Sequence, residues 1–175
     1  MLKKIAAALG VVVLVVLGLA LTQPDSFSVQ RSVRIQAPPE KIYPLMADFH
    51  RWGEWSPWEH LDPAMKRTHS GAASGPGAIY QWDGNDEVGA GRMEVTAAQA
   101  PTEVQIKLDF IRPFEGHNTT VFTLAPQGSA TQVDWRMSGP MPFVSKLMQV
   151  FVSMDKLIGK DFESGLAKLK AVAEK

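Results

Sequence analysis

The 175-residue sequence contains no cysteine. Disulfides, thiolate zinc sites, iron–sulfur clusters, a cysteine nucleophile and an acylated-cysteine membrane anchor are therefore all excluded. It also lacks a charge excess of either sign, since 18 Lys and Arg balance 18 Asp and Glu. Nucleic acid held by a broad basic field would need a surplus of cations, so no nucleic-acid partner is expected. The histidines are His50, His60, His69 and His117, and none stands in a His-x-His or His-Glu-x-x-His spacing. We expect no metal and no cofactor. There is no Gly-x-Ser-x-Gly elbow and no serine in a triad context, so no catalytic residue is assigned.

What the sequence does contain divides into two unlike parts. Ile5 to Leu21 is an unbroken run of Ala, Gly, Val, Leu and Ile. Its 17 residues would rise about 25 Å as a helix, near the lower limit for crossing a hydrocarbon core. Lys3 and Lys4 precede the run, and the next charge is Asp25. The positive-inside rule then places the N-terminus in the cytoplasm and the rest of the chain outside the inner membrane. The alternative is a signal peptide cleaved after the small residues Gly18-Leu19-Ala20, which would release the domain. Thr22 to Ser26 is the only spacer, at most about 17 Å when extended. Residues 1–26 are thus read as anchor and linker, and 27–175 as one domain.

Within that domain Phe27, Val29, Val33 and Ile35 alternate as a strand face, with Arg31 on the same face. Ala37-Pro38-Pro39-Glu40 opens a helix whose apolar positions are Ile42, Leu45, Met46 and Phe49. Beyond Pro63 the sequence alternates in short runs separated by turns. Its strand candidates run over 65–70, 78–82, 91–98, 104–110, 119–124 and 133–137. No helix-length pattern separates them, so parallel βαβ units are excluded and an antiparallel meander is expected. Finally, Phe143, Leu147, Phe151, Met154, Ile158, Phe162, Leu166, Leu169 and Val172 recur every 3.6 residues. That period predicts one straight helix approaching 50 Å over 142–175, roofing a sheet of six or seven strands. Gly159 and Gly165, inside it, are expected at close approaches to the sheet or at a space left for a ligand.

This order of elements is the α+β helix-grip architecture. The residues that carry the likeness are Val29-Gln30-Arg31-Ser32, Ile35 to Tyr43, Asp48 to Trp58, Gly75 to Asn85 and Gly159 to Leu169. In them the sequence resembles the START-like (SRPBCC) superfamily, in particular its bacterial polyketide-cyclase-like members. The resemblance implies an elongated cavity between a curved sheet and the C-terminal helix, used for apolar ligands. The implied lining is Trp55, Trp58, Tyr80, Trp82, Trp135 and Met137, with Phe151, Met154 and Ile158 from the roof and Arg31 at one end.

Trp52, Trp55 and Trp58 admit three readings: a plug closing one end of the grip, a ligand portal, or an edge touching lipid. Arg31 is read as a bulge or edge residue that reaches solvent, or as a group recognising an anion. The leading functional expectation is a membrane-tethered module holding a lipid, isoprenoid or polyketide-like molecule. An acid–base cyclase or dehydratase using the same cavity is the alternative, and it requires a facing titratable pair there. A filled interior serving only protein contacts is the third. The oligomeric state is left open.

Overall fold

The structure, a computed structural model, describes residues 1–175, residue 2 through its backbone alone. Helix α1 (Leu2–Leu21) precedes β1 (Ser26–Ile35) and α2 (Pro39–Ala47). Two 3-10 turns follow, Phe49–Glu54 and Pro57–His60. Then comes the meander: β2 (Lys66–Gly71), β3 (Ala78–Asp83), β4 (Ala90–Gln99), β5 (Glu103–Arg112), β6 (Gly116–Gln127) and β7 (Ala130–Pro140). Helices α3 (Phe143–Gln149) and α4 (Met154–Ala173) complete the chain.

The seven strands form one antiparallel sheet in the order β1-β7-β6-β5-β4-β3-β2. Consecutive strands pair through short turns except at β1, which crosses from the chain's start to lie beside β7. Register shifts between Ala90/Gly91 and between Val95/Ala97 interrupt the β4–β5 ladder. Such irregularities bend a sheet; one lies at the start of β4 and the other near its middle. The inward residues of the central strands, including Val95, Val104, Ile106, Phe122 and Val133, are fully buried.

Local sequence explains α2 and the turns. Pro39 occupies the first helical position, where its missing N–H costs nothing, and Ile42, Leu45 and Met46 face the core. The Asp48 carboxylate accepts the His50 backbone N–H at 2.9 Å and starts the first 3-10 turn. Trp52 and Trp55 are buried, and their indole N–H groups donate to the Met46 and Leu45 carbonyls at 3.1 and 2.8 Å. These two rings belong to the core that joins α2 to the sheet, not to a lipid-facing edge. Trp58 is half-buried.

The C-terminal segment differs from the single rod that its periodicity predicts. The helix breaks at Val150–Ser153, where Ser153 takes an extended backbone (ψ 147°) and its Oγ accepts the Lys156 N–H at 3.3 Å. A serine cap begins a new helix there, although the apolar period passes through the break. Only α4, about 30 Å long, lies on the sheet, through Phe162, Leu166 and Leu169. Helix α3 buries no residue fully and lies beside α1 instead.

Both glycines of α4 mark close approach. A Cβ on Gly165 would stand 2.8 Å from Trp135 Cζ3 and 3.1 Å from Pro57 Cδ. One on Gly159 would stand 2.8 Å from Arg31 Cζ.

A cavity between sheet and helix

Between the concave face of the sheet and α4 lies a cavity of about 270 Å³. The sheet contributes Tyr80 and Trp82 from β3, Met93 from β4, Leu108 and Phe110 from β5, Thr120 from β6, and Trp135 and Met137 from β7. Helix α4 contributes Ile158 and Phe162, and the 3-10 region contributes Trp52, Ser56, Trp58 and Glu59. Glu87, Val88, Arg112 and Pro113 line the end nearest solvent.

The aromatic walls are rigidly placed. Trp135 stacks on Phe162 with ring centroids 4.0 Å apart and planes 9° from parallel. Trp58 meets Trp135 edge-on at 5.8 Å, so strand, helix and turn are locked at one point. Trp82 lies across Gly91, its cross-strand partner, because any side chain there would collide with its ring. Its indole N–H donates to the Val88 carbonyl at 3.1 Å. Offset and edge-on aromatic pairs each add about 0.5–1.5 kcal/mol beyond burial, so this wall keeps its shape when the cavity is empty.

Polar groups are few and concentrated. The Tyr80 hydroxyl donates to Glu59 Oε1 at 2.6 Å, and Arg67 Nε donates to Glu59 Oε2 at 2.7 Å. Burial first, then the Glu59 carboxylate, pushes the Tyr80 pKa well above its ordinary value. Tyr80 therefore remains a protonated donor at neutral pH. Ser56 and Thr120, 2% and 4% exposed, add two hydroxyl-bearing side chains to the lining. A shallower cleft of about 240 Å³ adjoins on the far side of Tyr80 and Glu59, between His50, His60 and His69. There the His50 and His69 rings stack at 4.2 Å, and burial lowers the His69 pKa. No group of three histidine or carboxylate side chains suited to a metal ion occurs among the described residues.

Six of the residues expected to line a cavity do so: Trp58, Tyr80, Trp82, Trp135, Met137 and Ile158. Four do not. Trp55 is wholly buried behind Trp52, Phe122 and Trp135. Phe151 falls in the break between α3 and α4 and is 71% exposed. Met154, the first residue of α4, packs on the edge of the core.

Arg31 causes no bulge, since β1 and β7 pair in unbroken register through Arg31 and Trp135. Nor is it free for an anion in the cavity. Its Nη1 meets Asp155 Oδ1 and its Nε meets Glu163 Oε1, both at 2.7 Å, clamping α4 to the sheet edge.

Ser56, Glu59 and Thr120 escaped the sequence reading. Thr120 was detectable, because it shares the inward face of β6 with Phe122 and Leu124.

The few charged groups at the inner wall are internally paired, and the surface around them is apolar. That arrangement suits a largely apolar guest with one or two oxygens. A sheet gripping its C-terminal helix across such a cavity defines a helix-grip, START-like protein. A family model described as polyketide cyclase / dehydrase and lipid transport matches residues 26–174, and the chain belongs to that family.

Among solved structures, protein CV1439 from Chromobacterium violaceum superposes with a TM-score of 0.58 at 15% identity, over 87% of this chain and 99% of that one. The Aha1 dimer from Colwellia psychrerythraea gives 0.61 at 18% identity, over 85% and 96%. The di-domain ARO/CYC BexL of the BE-7585A biosynthetic pathway gives 0.65 at 13% identity. This chain covers 90% of itself but 53% of BexL. At such identities the likeness is one of fold. No curated protein matches the sequence.

Proposed function

We propose that the protein is a membrane-tethered carrier that holds an apolar or amphipathic small molecule, of lipid, isoprenoid or polyketide type, between its sheet and α4. The observation that carries this reading is the preformed apolar cavity, about 270 Å³, close to the range of roughly 300–1,000 Å³ typical of ligand sites. A filled interior would leave no such space. Support for the tether comes from α1, whose Lys3–Leu21 segment is long and apolar enough to cross a membrane or to act as a signal sequence. With the N-terminus in the cytoplasm, the domain stands on the outer face of the inner membrane.

Native mass spectrometry of the full chain, purified from its own membranes, tests the reading. A co-purifying small molecule that is lost from an Ile158→Trp variant is the expected result. Delipidated protein that takes up no fluorescent fatty acid, isoprenoid or phospholipid saturably would overturn it.

One observation favours a second reading. Tyr80 and Glu59 are a facing titratable pair in the cavity wall, with Arg67 behind them. In an acid–base cyclase or dehydratase, Tyr80 would donate its hydroxyl proton to a ligand oxygen, and the Arg67 guanidinium held by Glu59 would offset the negative charge left on the phenolate. Tyr80→Phe would then abolish turnover of a polyketide-like substrate while leaving its binding nearly intact. A pure carrier shows no turnover to lose.

A further inference from the structure

Helix α3 and the turn after it leave a run of large apolar side chains open to solvent, which a short surface helix in water should not do. Between Met141 and Met154 the only charged residue is Lys146. Leu147 and Val150 are partly covered, and α3 adjoins α1. Val144, Met148, Phe151 and Val152 form the exposed stripe, at 58%, 47%, 71% and 42% exposure. Val144 and Met148 are one turn apart on α3, and the turn that follows, in which the Phe151 and Val152 N–H groups both donate to the Met148 carbonyl at 3.0 Å, carries the other two. A contiguous apolar face on a folded domain marks an interaction surface.

Its position relative to α1 identifies the partner. Along α1 the residues from Val11 to Leu21 are exposed except Val16 and Ala20, which lie one turn apart on one face. Helix α3 packs against α1, and Val16 and Ala20 are the covered positions along this stretch. Lys146 Nζ bonds the Asp25 carboxylate, and the Met141 N–H donates to the Asp25 carbonyl at 2.8 Å. So α3 is pinned where α1 ends. Val16 and Ala20 lie one to five residues before Leu21, or about 2–8 Å below the helix end. Interfacial helices bury their apolar faces to a similar depth, about 5–10 Å.

We propose that α3 and the turn after it lie in the interfacial layer of the bilayer that α1 crosses, with Val144, Met148, Phe151 and Val152 against lipid. The proposal rests on the reading of α1 as a retained anchor. It deepens the carrier function, because a four-residue turn joins α3 to α4, and Ile158 of α4 lines the cavity. The helix end of the cavity is then held at the leaflet from which an apolar guest departs.

The absence of cysteine makes the test direct. Full-length Val144→Cys and Phe151→Cys chains, each labelled with an environment-sensitive fluorophore, are reconstituted in phosphatidylcholine–phosphatidylglycerol vesicles. Val12→Cys in α1 and Lys168→Cys on the exposed side of α4 serve as references. Lipids brominated near the headgroup should remove at least roughly half the fluorescence at 144 and 151, with Lys168→Cys unaffected. Val12→Cys should respond to bromines placed deep in the acyl chains. Quenching at 12 with water-exposed labels at 144 and 151 overturns the interfacial helix and leaves the anchor standing. Labels at 144 and 151 that are shielded from water but untouched by bromines also overturn it, in favour of a protein partner. No deep quenching at 12 removes the anchor itself, and this proposal with it.

Discussion

Gly159 and Gly165 occupy equivalent places on the buried side of α4, yet their replacement by alanine should have different consequences. At Gly159 the new methyl meets the end of a flexible arginine, which can swing away from Asp155 and Glu163 toward solvent. Helix propensity gains about 1 kcal/mol from Gly→Ala, and the exposed carboxylates lose little. Gly159→Ala should therefore be near neutral, and in an Arg31→Ala background it should be stabilising.

At Gly165 the methyl meets the indole of Trp135 and the ring of Pro57, neither of which can move without disturbing the cavity wall. Overpacking of that kind costs about 1–3 kcal/mol, exceeding the propensity gain, so Gly165→Ala should lower stability. Urea unfolding of the four variants checks both signs.

His69 makes a pH prediction at the same scale. Burial depresses its pKa below the ordinary 6.5, so the folded state disfavours the imidazolium that the unfolded chain accepts. Its contribution to stability is complete above pH 6.5 and is lost as the pH falls through the depressed value. A His69→Asn chain should have a flatter pH profile in that acid window, read from midpoints of thermal unfolding.

The elements themselves were largely legible, because alternation and the 3.6-residue period report which face of a segment is buried. Spacing alone put Tyr80 with Trp82, and Trp135 with Met137, on shared strand faces, and the family resemblance made those faces the cavity wall. Two kinds of feature were hidden. Arg31 was visibly anomalous, but its partners lie 124 and 132 residues away, and no local pattern connects them. The break at Val150–Ser153 was invisible because apolar residues at 147, 151, 154 and 158 continue the helical period across it. What ends the helix is the serine cap of α4 together with a second partner, α1, for the first segment. Ser153→Ala should cost about 1 kcal/mol, the usual value of a lost N-cap. The loss should appear as faster amide exchange in the first turn of α4, with Leu166 and Leu169 unchanged.

At the scale of the whole molecule, the interior combines a rigid aromatic wall with a void that its own side chains do not fill. Polar chemistry there was the least legible part of the sequence, since Ser56 and Glu59 lie in an aromatic 3-10 segment with no repeating pattern. An empty apolar cavity forfeits dispersion contacts along its lining, so the folded state without a guest is less stable than its sheet and helix allow. A guest that binds only the folded state adds stability by mass action, about 2.7 kcal/mol at a hundred times its dissociation constant. For a domain of this size that corresponds to a rise of roughly 5–10 °C in the unfolding midpoint. Delipidated full-length protein titrated with the molecule identified by native mass spectrometry should show this rise, growing with the logarithm of concentration above saturation. Ile158→Trp, which places an indole in the cavity from the α4 side, should lose most of the response while melting no lower than the empty wild-type protein. A variant that still shows the full shift would mean that the guest binds elsewhere, and the space between sheet and helix would then be a feature of packing alone.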